Sequence, residues 1–131
     1  MTISPKTRKE VGAYGEKVAA TYLKRHGFII RDQNVTRKTG EIDIVTEKEN
    51  TLHFVEVKTI LVDEFRGEKY IGDDYDPSLN LHAIKIQKVA RTGEWYVLEN
   101  EWGGDWQVDG CLIWLRRRDN VARVSYYPQI V

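Results

Sequence analysis

Two alternating runs constrain this chain more than any other feature: Gly40-Glu41-Ile42-Asp43-Ile44-Val45 and Phe54-Val55-Glu56-Val57-Lys58, separated by the polar stretch Lys48-Glu49-Asn50-Thr51. A period of two is the mark of a strand, and a short polar break between two such runs predicts a β-hairpin. In the first run Ile42, Ile44 and Thr46 are expected on one face, with Glu41, Asp43 and Val45 on the other; Leu52, Phe54, Glu56 and Lys58 share a face of the second. If the hairpin is symmetric about Glu49-Asn50, paired residues have numbers summing to 99, which sets Asp43 opposite Glu56 and Glu41 opposite Lys58. A loop of another length would slip that register.

Directly opposed strand residues hold their Cβ atoms roughly 4.5–5.5 Å apart, close enough for two carboxylates to share one divalent cation. Unpartnered, the two acids repel each other. A hard, oxygen-seeking ion such as Mg²⁺ or Mn²⁺ removes that cost and leaves positions open to water and phosphate, which is the equipment of metal-assisted phosphodiester cleavage. Lys58, two residues beyond Glu56 on its face, can position water, stabilise a developing oxyanion or act as base, and the sequence does not choose among these roles. On these residues alone an Asp/Glu/Lys ladder on a solvated sheet face is an equal alternative.

The rest of the chain supplies a frame for the hairpin. Residues 7–26 predict an amphipathic helix with Val11, Tyr14, Val18 and Tyr22 on one face and Gly27 as its stop. Gly12 and Gly15 fall on that face and are expected to bring the helix close to a sheet. Glu16 lies at the border of the arc, able either to lean toward a metal or to pair with a basic neighbour. Phe28–Thr36 reads as the first strand, with Arg37-Lys38-Thr39-Gly40 as a basic turn and candidate phosphate contact. Leu61 to Pro77 reads as an acidic loop or lid in which Tyr70 and Tyr75 are candidates to stack on bases. A second helix is expected over residues 78–98, where Lys85, Lys88 and Arg91 form a basic ridge suited to a phosphate backbone or simply to solvent. Trp106–Leu115 and Val121–Tyr127 complete the strands, joined by a turn at residues 116–120.

Several of these segments taken as a set resemble the YraN-like family of small bacterial proteins: Gly12-Ala-Tyr-Gly15-Glu16-Lys17-Val18-Ala19-Ala20-Thr21-Tyr22-Leu23, His26-Gly27-Phe28, Asn34, Gly40-Glu-Ile-Asp-Ile-Val, Phe-Val-Glu-Val-Lys58 and Trp106-Gln-Val-Asp109-Gly-Cys-Leu-Ile113. That family is similar to PD-(D/E)XK nucleases and, within them, to Holliday-junction resolvases. The resemblance implies an α/β fold with an αβββαβ core, a mixed sheet flanked by helices. It further implies a metal site at Asp43, Glu56 and the carbonyl of Val57, a catalytic Lys58 and an auxiliary Glu16. The activity implied is Mg²⁺- or Mn²⁺-dependent endonuclease cleavage of DNA, branched or single-stranded, in repair or recombination, with a homodimer as the assembly. Arg37, Lys38, Lys85, Lys88 and Arg91 are the candidate nucleic-acid contacts. Gln87 matches a glutamine of the corresponding helix in some relatives, but Arg91 stands where a tyrosine would follow. Asp109 matches a recurrent aspartate that we read as structural or supporting.

Composition sets bounds around this reading. The chain has 131 residues, enough for one domain with a continuous core, and 41% of them are hydrophobic. No apolar run approaches the length of a membrane span and the first residues lack a signal-peptide core, so a cytoplasmic protein is expected. The single cysteine, Cys111, excludes an internal disulfide and a cysteine-based zinc site. Twenty basic and twenty acidic residues cancel, which is unusual for an electrostatically driven DNA binder. Between residues 61 and 80 six acids face two bases, leaving that segment at net −4 and the remainder at +4. The alternative to a nuclease is therefore a non-catalytic module that binds nucleic acid or protein and keeps the nuclease fold.

Overall fold

The computed structural model describes residues 7–65 and 83–131. In chain order these form α1 (Arg8–Arg25), β1 (Ile29–Arg37), β2 (Gly40–Lys48), β3 (Thr51–Val62), α2 (Ala83–Glu99), β4 (Asp105–Arg116) and β5 (Ala122–Tyr127). The strands make one sheet in the order β1-β2-β3-β4-β5. Neighbours are antiparallel except β3 and β4, which run parallel from Thr51↔Asp105 to Val62↔Arg116. A parallel pair needs a long crossover, and α2 lies within it. This is the α/β fold with a mixed sheet between two helices that the sequence predicts. Tyr70, Tyr75 and most of the acidic 61–77 segment lie outside the described residues, as does the expected start of α2.

Each face of the sheet carries its own core. On one face Ala19, Ala20 and Leu23 of α1 meet Ile44, Val55, Val57, Cys111 and Ile113. On the other, Val89 and Tyr96 of α2 meet Val35, Ile42, Val45, Leu52, Phe54 and Val108. Cys111 is a buried free thiol, its pKa pushed up to about 12 by burial, and it serves as a small hydrophobe. The buried residues of α1 are Gly15, Ala19, Ala20 and Leu23, three of them small, and not the bulky Val11, Tyr14, Val18 and Tyr22 that the periodicity selects. Small side chains let the backbone sit close to the sheet, and Val18 and Tyr22 pack at the margin of that contact. A Cβ built on Gly15 would collide with Thr59 Oγ1 of β3, whereas one on Gly12 would meet nothing within 4 Å. The expected close approach therefore depends on Gly15 alone.

The hairpin forms with the predicted register, Ile44↔Val55 through Lys48↔Thr51, every pair summing to 99. Glu49 and Asn50 have φ of 50° and 60°, the two left-handed residues that a two-residue type I′ turn demands. The ladder stops one pair short of Asp43 and Glu56, so these two do not face each other across hydrogen-bonded strands. Alternation also breaks there: Ile42 packs with Val45 on the α2 face while Ile44 packs on the α1 face, contrary to the expected grouping of Ile42 with Ile44. Instead of a neighbouring strand, Asp43 Oδ2 accepts the Val57 N–H at 2.8 Å. Strands that separate at an acid open a gap at the sheet, and the gap holds the site described next. No helix among the described residues is long and apolar enough to cross a membrane.

Candidate functional site

Where β2 and β3 part, α1 and α2 close over the opening and leave a cleft of about 900 Å³. Asp43 and Glu41 from β2, Val57 to Leu61 from β3 and Glu16 from α1 line it, with Lys85 of α2 on the far side. Four of the residues singled out from sequence, Glu16, Asp43, Val57 and Lys58, thus share one cavity wall. Glu56 lies immediately behind them, 1% exposed on the α2 face.

Glu56 is the electrostatic centre of this arrangement. Its Oε1 receives the Lys85 ammonium at 2.6 Å. Its Oε2 is buried and accepts no hydrogen bond. Burial, with the neighbouring Asp43 charge second, pushes the Glu56 carboxyl up to about 8, and Lys85 opposes that rise. Asp43 is also raised, by burial, against the lowering effects of the Val57 N–H and Lys85. A buried and a half-buried carboxyl group, both with raised pKa values, beside a cleft are an unfavourable arrangement without a counter-charge, and such sites are where function is to be sought.

Glu16 reaches the cleft from α1, and burial together with Asp43 and Glu41 raises its pKa. Its orienting partner is Asn34 of β1. Placed with its nitrogen toward the acids, the Asn34 amide donates to Glu16 Oε1 at 3.0 Å and Glu41 Oε1 at 3.3 Å. Asn34 has φ 52° within a strand, a conformation asparagine tolerates better than most residues. An asparagine in an otherwise strand-like run is the signal that could have marked it as a site residue, since asparagine is depleted in strands.

The basic residues sort differently from the sequence reading. Lys85 belongs to the carboxylate centre rather than to a surface ridge. Lys88 packs its Cβ against Gly40 and Arg37 pairs with Glu99 at 3.1 Å, while Lys38 and Arg91 are exposed; none of these four lines the cleft. Arg8, in the first turn of α1, and Arg117, in the turn after β4, do line it. The sequence does not single out either one, because only the fold brings residues 8, 58 and 117 to one mouth.

Asp109, read as structural or supporting, lies in a dense hydrogen-bond network away from the cleft. It is fully buried on the α1 face and accepts from His53 Nδ1, Gln107 Nε2 and the Gln129 N–H, each at 2.7 Å, and from the Tyr126 hydroxyl.

Comparison with known proteins gives the chain a family. The model of the family described as "Uncharacterised protein family UPF0102" matches residues 15–122. A UPF0102 protein of Campylobacter jejuni is 38% identical over 98 residues, covering 75% of this chain and 78% of its own. One from Syntrophotalea carbinolica is 35% identical over 121 residues, covering 92% and 90%. One from Campylobacter fetus is 33% identical over 115 residues, covering 88% and 93%. The matched region contains the whole cleft apart from Thr7, Arg8, Val11 and Gly12, and the chain belongs to the UPF0102 family, the YraN-like group.

Proposed function

We propose that this protein is a divalent-metal-dependent endonuclease that hydrolyses phosphodiester bonds in DNA. The observation that carries the proposal is Glu56 Oε2, a buried carboxyl oxygen that no N–H or hydroxyl donor reaches, set against the half-buried Asp43 carboxyl at a cleft. An orphaned buried acceptor is costly, and a cation is the partner that would satisfy it. Asp43 and Glu56 offer hard oxygen donors, and the Val57 carbonyl would add a third, the donor chemistry of Mg²⁺ or Mn²⁺. Among the described residues no three His, Cys, Asp or Glu side chains converge on one point. Two carboxylates with the balance of ligands from water and phosphate is a usual Mg²⁺ arrangement, so the donor set fits. Bound there, a divalent ion supplies activation of water and neutralisation of charge at phosphorus.

The remaining work falls to the chain's own groups. Lys58 is exposed in the cleft two residues along β3 from Glu56, where it orients water or meets phosphate charge. Glu16, with its raised pKa and its Asn34 partner, exchanges a proton with cleft water. Arg8 and Arg117 at the rim hold flanking phosphates, a local basic mouth in a chain with no net charge. The similarity to junction resolvases extends the proposal to branched or single-stranded DNA in repair or recombination and to a homodimer, for which β1 and β5 are the sheet's edge strands.

The test is cleavage of end-labelled branched, single-stranded and duplex DNA with Mg²⁺ or Mn²⁺ by the wild type, Asp43→Ala and Lys58→Ala. Metal-dependent cutting that falls by about two orders of magnitude or more in both variants is the expected result. DNA binding without cleavage by the wild type would favour a non-catalytic binding module instead.

A further inference from the structure

The carboxylate pair already has a cation of its own. Lys85 Nζ lies 2.6 Å from Glu56 Oε1, and the lysine side chain is 60% exposed while that of Glu56 is 1% exposed. The two partners are therefore unequal in freedom. Glu56 is fixed inside the sheet, and Asp43 is fixed by the Val57 N–H at 2.8 Å. Lys85, the third residue of α2, reaches them on a flexible stem from the solvent side. Its charge also acts on Asp43 and Glu41, so a single ammonium serves the acidic wall of the cleft.

We propose that Lys85 is a built-in counter-ion: it neutralises the Asp43–Glu56 pair in the metal-free protein, is displaced from Glu56 by a divalent cation, and so sets the metal affinity of the site. This rests on the metal-dependent reading above. Like charges a few ångströms apart repel, and the repulsion is stronger away from bulk water. An ammonium on Oε1 and a divalent ion on Oε2 of one carboxylate cannot both keep close contact without that penalty. The exposed, flexible partner yields; buried Glu56 and the backbone-anchored Asp43 stay. The lysine thus prevents the pair from standing uncompensated before metal arrives, at the expense of weaker metal binding.

The experiment measures Mn²⁺ affinity without DNA, by the spectroscopic signal of free Mn²⁺, for the wild type, Lys85→Met, Lys85→Gln and Lys85→Arg. Mildly alkaline buffer is used because protons compete least there, and unfolding in EDTA reports that each variant is folded. Lys85→Met and Lys85→Gln are expected to bind Mn²⁺ roughly tenfold more tightly than the wild type, with lower unfolding temperatures in EDTA; Lys85→Arg, which keeps the charge, stays within about threefold. Two neutral variants guard against a folding defect in either one. Unchanged or weaker binding in both, with a wild type that binds, would overturn the counter-ion role and leave the metal site standing. A wild type that binds no Mn²⁺ would overturn the metal site and the counter-ion role together.

Discussion

Two buried acidic centres sit almost side by side in the sheet and are treated in opposite ways. Val55 pairs with Asp109 and Glu56 with Gly110, so the centres are one residue apart along the β3–β4 ladder and on opposite faces. Asp109 accepts from a histidine, a glutamine, a tyrosine and a backbone N–H, and these hydrogen bonds hold its pKa below the ordinary carboxylate value despite burial. Glu56 has one ammonium, an unpartnered oxygen and a second acid for company, and its pKa rises to about 8. Burial is common to both, so burial does not distinguish a structural acid from a functional one. The difference is whether the fold provides donors. At Asp109 it provides four from β3, β4, β5 and the C-terminal segment; at Glu56 it leaves one oxygen without a donor, just behind the residues that line the cleft.

The largest expected effect tests the satisfied centre. Asp109→Ala strands four donors in the α1-side core, the Gln129 N–H of the C-terminal segment among them. A loss of about 3–5 kcal/mol in denaturant unfolding is expected, the range for removing one partner of a buried polar network. A loss under about 1 kcal/mol would mean that the network contributes little and that the contrast with Glu56 is only one of geometry.

The pH dependence of stability sharpens the comparison because the two centres have opposite signs. Glu56 keeps its proton in the native state up to about 8, while an ordinary glutamate gives it up near 4.5. Between those values the native state binds more protons than the unfolded chain, so the Glu56 contribution to stability is full below about 4.5 and declines as pH rises through about 8. Asp109, with its lowered pKa, contributes stability above its ordinary value of 3.8 and loses it as pH falls further. In EDTA, Glu56→Gln is expected to remove the decline on the alkaline side, gaining about 2 kcal/mol on the wild type between mildly acidic and mildly alkaline buffer. Parallel curves for the two proteins would show that the Glu56 charge is as well compensated as that of Asp109.

The sequence made the hairpin legible because period-two alternation and a two-residue turn are local signals, and the register they imply holds from Ile44↔Val55 to Lys48↔Thr51. It also located Asp43, Glu56, Val57, Lys58 and Glu16 near one another. It failed where the regular pattern stops. The break at Asp43 moves Ile42 to the α2 face, and no alternation rule contains such a break. Lys85 looked like one member of an i, i+3 ridge because spacing reports a helix face but not what lies across from it; the crossover from β3 to β4 decides that Lys85 faces Glu56. Arg8 and Arg117 joined the site for the same reason, being brought to it by topology alone. Small residues carried the α1 contact where bulky ones were expected, since close approach of helix and sheet rewards the absence of a side chain at Gly15.

The smallest effect is the most discriminating. Asp43→Asn keeps an oxygen for the Val57 N–H, which now lies 2.8 Å from Oδ2, and removes one of two interacting charges. The Asp43 charge is the second cause of the raised Glu56 pKa, so its loss lets Glu56 ionise more readily. In EDTA above neutrality the variant is therefore expected to be more stable than the wild type by about 1 kcal/mol, the gain typical of relieving an unfavourable functional arrangement. Saturating Mn²⁺ should reverse the order, because a ligand that binds the native state adds stability by mass action and the variant has lost a ligand oxygen's charge. The same change at Asp109 has no charge conflict to relieve, and Asp109→Asn is expected to destabilise with or without metal. If Asp43→Asn instead behaves like Asp109→Asn, losing stability in EDTA and showing no reversal with Mn²⁺, then Asp43 is a structural acid that closes the end of the hairpin, and the cleft lacks the strained pair on which its proposed chemistry depends.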